Sequence, residues 1–566
     1  MLTKYKNPLL FDDLHSGKLP ASFIFPFTVM KKILSKILLV IICLPGILKV
    51  HSQEEWPKYY GLSANAKSFD LIECYDKGYI IAGSSKYGAY QPQGWLIKTD
   101  INGEILWDKW IGDGSYLTSN YSIAQTNDNG FIISGATQKI NLNRDSFVLK
   151  LDACGNKEWC VIYPNNNLTF DYANGIVQNP DGTYTALVSY YGGNTAEERI
   201  WLFKLDQNGN TLWRKLYATD PDYLDEYGRS LIRVSDSGVL ISGSNWMQVN
   251  GYPGQWWWTP FWIKVDLEGY TEWEFVWQEN NYFGGECGQS IEDGYANFYG
   301  TGSNGYHPGV PCLYKFSATG QQIARYDMMG DTIEHGNTKT ISMFHDSETL
   351  ALGGGYAPNP DTSISLLWKT DTLGNILNQR TIPINGYPPV ASIVTHDNKL
   401  LLTCYGQYLP PNNTEIILMK FNSNLEYDSI YTRPYTYDSL CPGTIISDTI
   451  QLDCDIVVIL DEPALQPENN LLVFPNPASN VVRIQLPKNK MTVEKRHGMK
   501  ITTIRPLDEK LELNITNLAG RQVFQHRLEK GVQQIELDIS IWKAGIYLVI
   551  LTGDEGFKST EKLVVQ

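Results

Sequence analysis

The chain has 566 residues, of which 12% are aromatic, and its formal net charge at pH 7 is -15. This length exceeds one ordinary domain, and the aromatic content indicates a folded chain with an apolar core rather than a disordered one. The acidic balance argues against a nucleic-acid-binding protein, because phosphate recognition needs a basic face.

The N-terminal region carries the features of a secretory signal. From Met30 the sequence reads MKKILSKILLVIICLPGILKVHS, with lysines, then an apolar run too short for a membrane span, then a site that suits signal peptidase. We therefore predict a signal peptide over residues 30–52. Residues 1–29 contain Asp12 and Asp13, which do not belong in such a signal. That stretch is either an upstream extension ahead of the true start at Met30 or a genuine N-terminal extension.

Secretion into an oxidising compartment favours disulfides. Eight of the nine cysteines follow the predicted signal. Cys154 and Cys160 flank a tight turn, where a bridge across one hairpin is one candidate pairing, and Cys441 and Cys454 flank a short strand-like run. The sequence leaves the connectivity open. No Cys or His set has the spacing of a zinc site, so no metal is predicted.

One phrase recurs through the middle of the chain. Its first three copies read WLIKTDINGEILW, FVLKLDACGNKEW and WLFKLDQNGNTLW. The lysines of the seven copies lie 51–60 residues apart: Lys98, Lys150, Lys204, Lys264, Lys315, Lys369 and Lys420. A fixed period near fifty residues is typical of a propeller or a solenoid.

Each copy indicates four short strands, because apolar and polar residues alternate and β-branched and aromatic residues are frequent. The D-x-x-G between the third and fourth strands is turn chemistry, from which Ser317 and Leu425 depart. Seven such sheets predict a seven-bladed β-propeller over residues 53–436, with the Trp of each phrase packed between blades. Trp56–Gly61 resembles a fourth strand and is expected to complete the last blade.

The D-x-x-G-x-x-x-W phrase resembles the tryptophan-docking motif of quinoprotein-type propellers, although the turn is one residue shorter. None of that family's cofactor-binding signature can be matched in this sequence. The resemblance therefore implies the architecture alone, and no cofactor is predicted.

The period stops near residue 437. Residues 437–470 read as a linker with a short strand segment, and residues 471–566 as a small immunoglobulin-like β-sandwich of about seven strands, so that the fold class is all-β. Met491–Lys510 reads as an inserted loop. Turn and strand motifs follow in order to the end of the chain. Their marker residues are Pro475, Asn476 and Pro477 in FPNP, Gly520 in NLAGRQV, Gly545 and Tyr547 in AGIYLV, and Lys562 in KLVVQ.

These ordered motifs resemble the C-terminal sorting domain of the type IX secretion system of the Bacteroidetes; the alternative is an ordinary immunoglobulin-like module. The resemblance implies passage through the outer membrane by the type IX machinery. It also implies removal of the tail by a sortase-like peptidase, and a secreted or surface location with attachment to lipopolysaccharide as the only membrane contact. The insertion is a departure from the family pattern.

No nucleophile elbow, phosphate loop, zincin motif or calcium loop appears, and the repeated carboxylates read as turn residues. The longest of the six spacings falls in the fourth unit, where SNWMQVNGYPGQWWWTPFW joins two strands. Aromatic planes beside carboxylates suit sugar rings, so this rim is a candidate ligand site; the alternative is packing of a long loop. The candidate residues are Tyr252, Trp256, Trp257, Trp258, Tyr282, Phe283, Asp222, Asp225 and Glu226.

Two functions remain open at this point. The first is a secreted or surface-displayed propeller that binds a glycan or a protein and is not an enzyme. The second is a propeller hydrolase or lyase that uses paired carboxylates, which must face each other across a groove.

Overall fold

The computed structural model describes residues 56–61, 65–86, 90–140, 144–164, 171–191, 198–217, 225–248, 256–277, 285–304, 309–329, 335–359, 362–382, 388–407, 414–457, 471–474, 481–486, 489–496, 499–506, 510–517, 520–529, 532, 534–553 and 558–565. Every regular element in these ranges is a β-strand. None of the described segments forms a helix that could cross a bilayer. The fold is therefore all-β, as the sequence predicts.

The N-terminal part of the described chain, residues 56–421, consists of antiparallel sheets of four strands. The strands up to residue 217 are β1 (Lys58–Tyr60), β2 (Lys67–Glu73), β3 (Tyr79–Ser85), β4 (Gln93–Thr99), β5 (Ile105–Ile111), β6 (Thr118–Gln125), β7 (Phe131–Thr137), β8 (Asp145–Leu151), β9 (Lys157–Tyr163), β10 (Tyr172–Gln178), β11 (Tyr184–Tyr191), β12 (Glu198–Leu205) and β13 (Thr211–Tyr217). The strands β2–β5 form sheet 1, β6–β9 form sheet 2, and β10–β13 form sheet 3.

The same order of strands continues to residue 421. These strands are β14 (Asp225–Arg233), β15 (Val239–Gln248), β16 (Trp256–Val265), β17 (Thr271–Val276), β18 (Cys287–Glu292), β19 (Phe298–Asn304), β20 (Val310–Phe316), β21 (Gln322–Asp327), β22 (His335–Met343), β23 (Thr349–Asn359), β24 (Thr362–Asp371), β25 (Ile376–Ile382), β26 (Ala391–Val394), β27 (Leu400–Gln407) and β28 (Thr414–Phe421). Strands β14–β17, β18–β21 and β22–β25 form sheets 4, 5 and 6. Sheet 7 has the order β1-β28-β27-β26.

The seven sheets of the described region contact one another in a closed cycle. The first strand of each of sheets 1–6 contacts the first strand of the next sheet, and β26 of sheet 7 contacts β2 of sheet 1. The prediction that Trp56–Gly61 completes the last sheet is confirmed, because β1 pairs antiparallel with β28 and places Lys58 opposite Leu418. The two ends of this part of the chain thus meet in one sheet.

The turn chemistry predicted for the repeat is also confirmed. The Asp100 carboxylate accepts hydrogen bonds from the backbone N–H groups of Asn102 and Glu104, each at 2.8 Å, and Gly103 adopts φ +80°. In the two departing copies the same geometry survives with other residues. The Ser317 hydroxyl accepts the hydrogen bond, and Leu425 itself adopts φ +61°.

The Trp of the phrase packs on the turn glycine of the next sheet. A Cβ built on Gly209 would lie 2.7 Å from the Trp159 ring, and one built on Gly103 would lie 3.1 Å from the Trp56 ring. The Trp159 indole also donates a hydrogen bond of 2.9 Å to the carbonyl of Gln207 in that turn. These Trp rings pack between sheets, as predicted. The packing also requires a glycine in the facing turn, because a side chain there would collide with the indole.

Residues 438–457, which we call the strap, lie along the outer edges of sheets 1 and 2. Within the strap, β29 (Asp448–Ile450) pairs in parallel with β5, and β30 (Asp455–Ile456) pairs in parallel with β9. Ile450 and Leu452 join the apolar cluster between these sheets. The predicted linker is thus partly a docked segment with strands of its own.

Two disulfides join the strap to sheet 2, and neither is the candidate hairpin bridge between Cys154 and Cys160. Cys154 pairs with Cys441, and Cys160 pairs with Cys454. Cys160 lies opposite Leu149, three residues along the strand from the end of the turn that holds Cys154. At about 3.3 Å per residue, that separation of roughly 10 Å exceeds the reach of a disulfide.

The C-terminal part folds around one apolar cluster of its own. Its strands are β31 (Leu472–Phe474), β32 (Val481–Gln485), β33 (Asn489–Arg496), β34 (Met499–Pro506), β35 (Leu511–Asn517), β36 (Gln522–Leu528), β37 (Gln534–Asp538), β38 (Gly545–Gly553) and β39 (Lys558–Val565). One sheet has the order β31-β32-β37 and the other β36-β35-β38-β39. The insertion predicted as a loop is instead the hairpin β33–β34, whose Thr, Val and Ile residues favour strands.

Candidate ligand-binding site

The three consecutive Trp residues lie in a strand rather than in a loop. Strand β16 begins at Trp256, and its hairpin partner β15 extends to Gln248, so that Trp246 lies opposite Trp258. The two rings meet edge to face with centroids 5.3 Å apart, and both side chains are half-buried. The longest spacing of the repeat therefore lengthens a hairpin whose described end carries a pair of Trp rings.

The structure brings only some of the predicted rim residues together. Asp225 lies opposite Trp246 on β14, so Asp225, Trp246 and Trp258 form one cross-strand row, which we call the rim row. The sequence analysis did not select Trp246, although it stands in the same stretch. The prediction that at least one of the three consecutive Trp rings is exposed to a ligand stays a prediction. Of Trp256 and Trp257 only the backbone is described, and Tyr252, Tyr282, Phe283 and Asp222 lie outside the described residues.

Glu226 does not lie on the exposed rim where the sequence analysis placed it. It is fully buried, as is Asn245 opposite it on β15. Adjacent residues of a strand point to opposite faces of the sheet, so Asp225 and Glu226 cannot act together on one ligand. Of these two acids, Asp225 alone is accessible at the rim.

A second set of side chains lies on the first strands of the sheets, where the strands contact one another. Each of β2, β6, β10, β14 and β22 has a register shift that leaves one residue unpaired: Phe69, Tyr121, Asn174, Arg229 and Lys339, respectively. In β18 the register shift leaves two residues, Gly288 and Gln289, without a partner in the strand ladder. A bulge of this kind bends the strand and re-aims the side chain of the extra residue.

Aromatic rings on these strands form a continuous row, which we call the aromatic row. Phe69 contacts Tyr121 at 4.9 Å between ring centroids, Tyr121 contacts Tyr172 at 5.7 Å, and Tyr172 contacts Tyr227 at 6.4 Å. All four side chains are half-buried. Burial and the neighbouring Tyr227 and Tyr172 raise the pKa of Tyr121 to about 12, against the nearby Arg144 charge. Tyr121 is therefore a neutral hydrogen-bonding group at neutral pH.

Cations border the aromatic row. The Arg229 guanidinium lies 4.4 Å from the centre of the Tyr227 ring, and Arg144 lies 5.4 Å from the centre of the Tyr172 ring. Arg144 also donates a hydrogen bond of 3.0 Å to the Tyr172 hydroxyl. This set could not be predicted from the repeat, because the first strands carry a weaker recurring pattern than the third and fourth strands. The signal was present in DYANG and DEYGR, which place Tyr172 and Tyr227 at equivalent positions two residues before the bulge.

Nothing in the described segments assembles three or more His, Cys, Asp or Glu side chains in a group that could hold a metal ion. The side chains described at the two sites can stack, donate or accept hydrogen bonds and form ion pairs.

The described motif residues of the tail occupy defined positions in its four-stranded sheet. Gly520 adopts φ +78° and closes a turn by donating its N–H to the carbonyl of Asn517. Tyr547 is buried, and its hydroxyl donates to the carbonyl of Lys543 at 2.7 Å. Gly545 begins β38, and Lys562 lies opposite Leu548 in β39. Pro475, Asn476 and Pro477 lie outside the described residues.

Residues 472–566 match the family model of the secretion system C-terminal sorting domain. The protein is a substrate of the type IX secretion system. It is exported to the extracellular space or the cell surface, and its tail interacts with the type IX secretion machinery. No curated protein matches the sequence.

The chain has remote likenesses among solved structures. The extracellular domain of a one component system from B. thetaiotaomicron is 12% identical with a TM-score of 0.40; the match covers 91% of this chain and 59% of that one. A polysaccharide lyase, the PL25 ulvan lyase, is 10% identical with a TM-score of 0.42 over 64% of this chain and 95% of that one. Drosophila plexin A in complex with semaphorin 1b is 7% identical with a TM-score of 0.39; the match covers 64% of this chain and 86% of that one. No functional argument follows from likenesses of this size.

Proposed function

We propose that this protein is a secreted, seven-bladed β-propeller that binds an extracellular saccharide. Sheets 1–7 are its blades, and the region of residues 53–436 is the binding domain. Residues 471–566 are an immunoglobulin-like sorting domain of a Bacteroidetes protein, which a sortase-like peptidase removes before release or attachment to lipopolysaccharide. The cycle of first-strand contacts and the closure of sheet 7 by β1 support the propeller assignment.

The aromatic row carries the binding proposal. Four half-buried rings from four successive first strands follow one another at centroid distances of 4.9–6.4 Å. Aromatic faces stack on the C–H faces of sugar rings, and tyrosine hydroxyls bond to sugar hydroxyls. Such a row suits an extended chain of several sugar units, and a protein partner is the second possible ligand.

The alternative function is a polysaccharide hydrolase or lyase with paired carboxylates. A retaining hydrolase needs two carboxyl groups about 5–5.5 Å apart across the substrate, and an inverting one needs about 6.5–9.5 Å. Asp225 and Glu226 do not meet this requirement, because they point to opposite faces of β14 and Glu226 is buried. We therefore prefer binding to catalysis.

A glycan array and a polysaccharide-degradation assay on the purified full-length protein test the proposal together. We expect binding to at least one saccharide class without release of reducing ends or unsaturated products. Tyr227→Ala should weaken that binding, whereas Tyr295→Ala should not, because Tyr295 is an exposed residue outside the aromatic row. Degradation of the bound polysaccharide would favour the enzyme instead, and binding to no saccharide would contradict the proposed function.

A further inference from the structure

Two cationic side chains occupy equivalent bulges on either side of sheet 5. Arg229 is the unpaired residue of β14 in sheet 4, and Lys339 is the unpaired residue of β22 in sheet 6. Sheet 5 lies between them in the cycle, and the first residue of its bulge is Gly288. A Cβ on Gly288 would lie 2.5 Å from the Lys339 carbonyl oxygen, so glycine is required there. Position 288 thus places no side chain between the two cations.

The charges in this region are not balanced. Arg229 pairs with Glu286 at 3.8 Å, and their side chains are 42% and 44% exposed, so the pair is long and weak. Among the described residues Lys339 forms no ion pair. Burial lowers the pKa of the Lys339 ammonium, the Glu286 carboxylate opposes this lowering, and the Arg229 charge adds to it. Within the described ranges, the two cations thus share the Glu286 carboxylate, in a protein whose overall charge is -15.

The bulge of β18 also carries a polar atom without a partner among the described residues. The side-chain oxygen of Gln289, the second unpaired residue of β18, is buried and accepts no hydrogen bond from the described residues. A buried polar atom without a partner is unfavourable, and a sugar hydroxyl is a donor of the right kind. The Tyr227 ring lies against the Arg229 guanidinium and adds an aromatic face next to this cation.

We infer that Arg229, Lys339 and Gln289 form a subsite for an anionic sugar, which binds with its carboxylate or sulfate between the two cations. The guanidinium presents a planar fork of N–H donors that fits the oxygens of either anion, and the ammonium acts as a point charge. The half-buried Gln289 side chain turns its covered oxygen towards the bound sugar and accepts a hydrogen bond from one of its hydroxyls. This inference rests on the proposed saccharide binding and specifies the ligand as an acidic polysaccharide rather than a neutral one.

Isothermal titration calorimetry on the full-length protein tests the subsite with matched ligands. The probes are galacturonate oligomers and their methyl esters, sulfated and unsulfated dextran oligomers, and a polyglutamate peptide. We expect the charged member of at least one saccharide pair to bind ten times or more tightly than its neutral counterpart. Binding to the galacturonate oligomers alone identifies a carboxylate as the ligand group, and binding to sulfated dextran alone identifies a sulfate.

Three substitutions in the subsite and one control substitution connect this binding to Arg229 and Lys339. Arg229→Gln and Lys339→Met should each weaken binding of the charged saccharide at least tenfold. Arg233→Gln is the matched control, because Arg233 is an exposed arginine at the other end of the same strand. Arg229→Lys keeps the charge but loses the fork, so it should give an intermediate loss even if Arg229→Gln unfolds the protein.

The remaining outcomes separate the subsite from the proposed function. Equal binding of charged and neutral saccharides, or unchanged binding by Arg229→Gln and Lys339→Met, overturns the subsite and leaves the saccharide function intact. Binding of polyglutamate with the same loss in the variants, and of no saccharide, replaces the sugar by an acidic peptide and overturns both. Absence of binding to every probe and to a glycan array also overturns both.

Discussion

The seven recurring lysines served above only to define the repeat. In most sheets the lysine forms an ion pair with an acidic residue of the same sheet. Lys98 forms an ion pair with Asp76 at 2.6 Å, and each of the two side chains is 1% exposed. The Asp76 carboxylate also accepts the backbone N–H groups of Gly78 and Asp438. Equivalent pairs in other sheets join lysine to an acid that is partly exposed: Lys150–Asp128, Lys204–Asp181, Lys264–Asp236 and Lys420–Asp397.

Lys98→Met should destabilise the protein by about 3–5 kcal/mol, because it leaves the Asp76 charge buried without a counter-ion. Lys204→Met is the matched control. Its partner Asp181 is 38% exposed, so water can solvate the carboxylate and the loss should be smaller. Urea denaturation of the two variants measures the difference. Equal losses in both would mean that the side-chain stem, and not the charge, carries the stabilisation.

The stability contribution of Lys339 should depend on pH. Burial is the main reason why the pKa of Lys339 in the folded protein lies below its ordinary value of 10.5. The protonated ammonium therefore destabilises the fold below that lowered pKa, and the penalty disappears as pH rises towards 10.5. We expect Lys339→Met to be more stable than the wild type at pH 7 and this advantage to shrink as pH rises. Thermal unfolding at pH 7 and pH 10 tests the trend.

At the scale of single elements, the turns between the third and fourth strands of a sheet should not tolerate a side chain at their glycine. In Gly209→Ala the left-handed backbone costs about 1–2 kcal/mol, and the new Cβ would meet the Trp159 ring at 2.7 Å. We expect a total loss of about 2–5 kcal/mol after overpacking is included. Gly294→Ala should be nearly neutral, since a Cβ there meets nothing within 4 Å. A neutral Gly209→Ala would show that the indole can move aside.

The contributions of the two strap disulfides to the free energy of unfolding should not be additive. They close loops of 287 and 294 residues, and with one bridge in place the other closes a ring of only about 20 residues. Chain entropy then gives a loss of about 3 kcal/mol for Cys441→Ser or Cys454→Ser alone. The double variant should lose more than twice that amount. Urea denaturation of the single and double variants decides, and strict additivity would contradict the entropic explanation.

The elements differ in how far the sequence predicts them. The strands, the turns and the closing strand β1 follow from local periodicity, because each repeats one pattern. The strap does not, since nothing local in residues 438–457 indicates that it pairs with β5 and β9 far away in the chain. The bulges that place Arg229 and Lys339 were also missed, because a register shift depends on the partner strand and not on the strand alone.

At the rim of sheet 4, too, the sequence predicts one part of the structure and misses another. The sequence identified an unusual Trp-rich stretch, and the structure makes it the end of a long hairpin with Trp246 facing Trp258. The sequence could not show that the Glu226 side chain is buried, because the face of the sheet on which a residue lies depends on strand register. The aromatic row needed an alignment of first strands, whose patterns are weaker than those of the third and fourth strands.

At the scale of the whole molecule, the tail should direct export and then be absent from the mature protein. Deletion of residues 471–566 in the native host should trap the protein in the periplasm, because these residues include the sorting domain. Mass spectrometry of the exported wild type should find an N-terminus at or near Gln53 and no tail peptides. Surface display of the truncated chain would contradict this assignment.

The pairing of β1 with β28 also has a kinetic consequence. Lys58 and Leu418 are 360 residues apart in sequence, so their strands can meet only after nearly the whole domain has emerged. At a synthesis rate of about 5–20 residues per second, that interval is roughly 20–70 s. Contacts of such long range slow folding, and an unpaired strand edge invites association with other chains while it waits. We therefore expect the nascent protein to need protection in the periplasm until its first and last strands have joined.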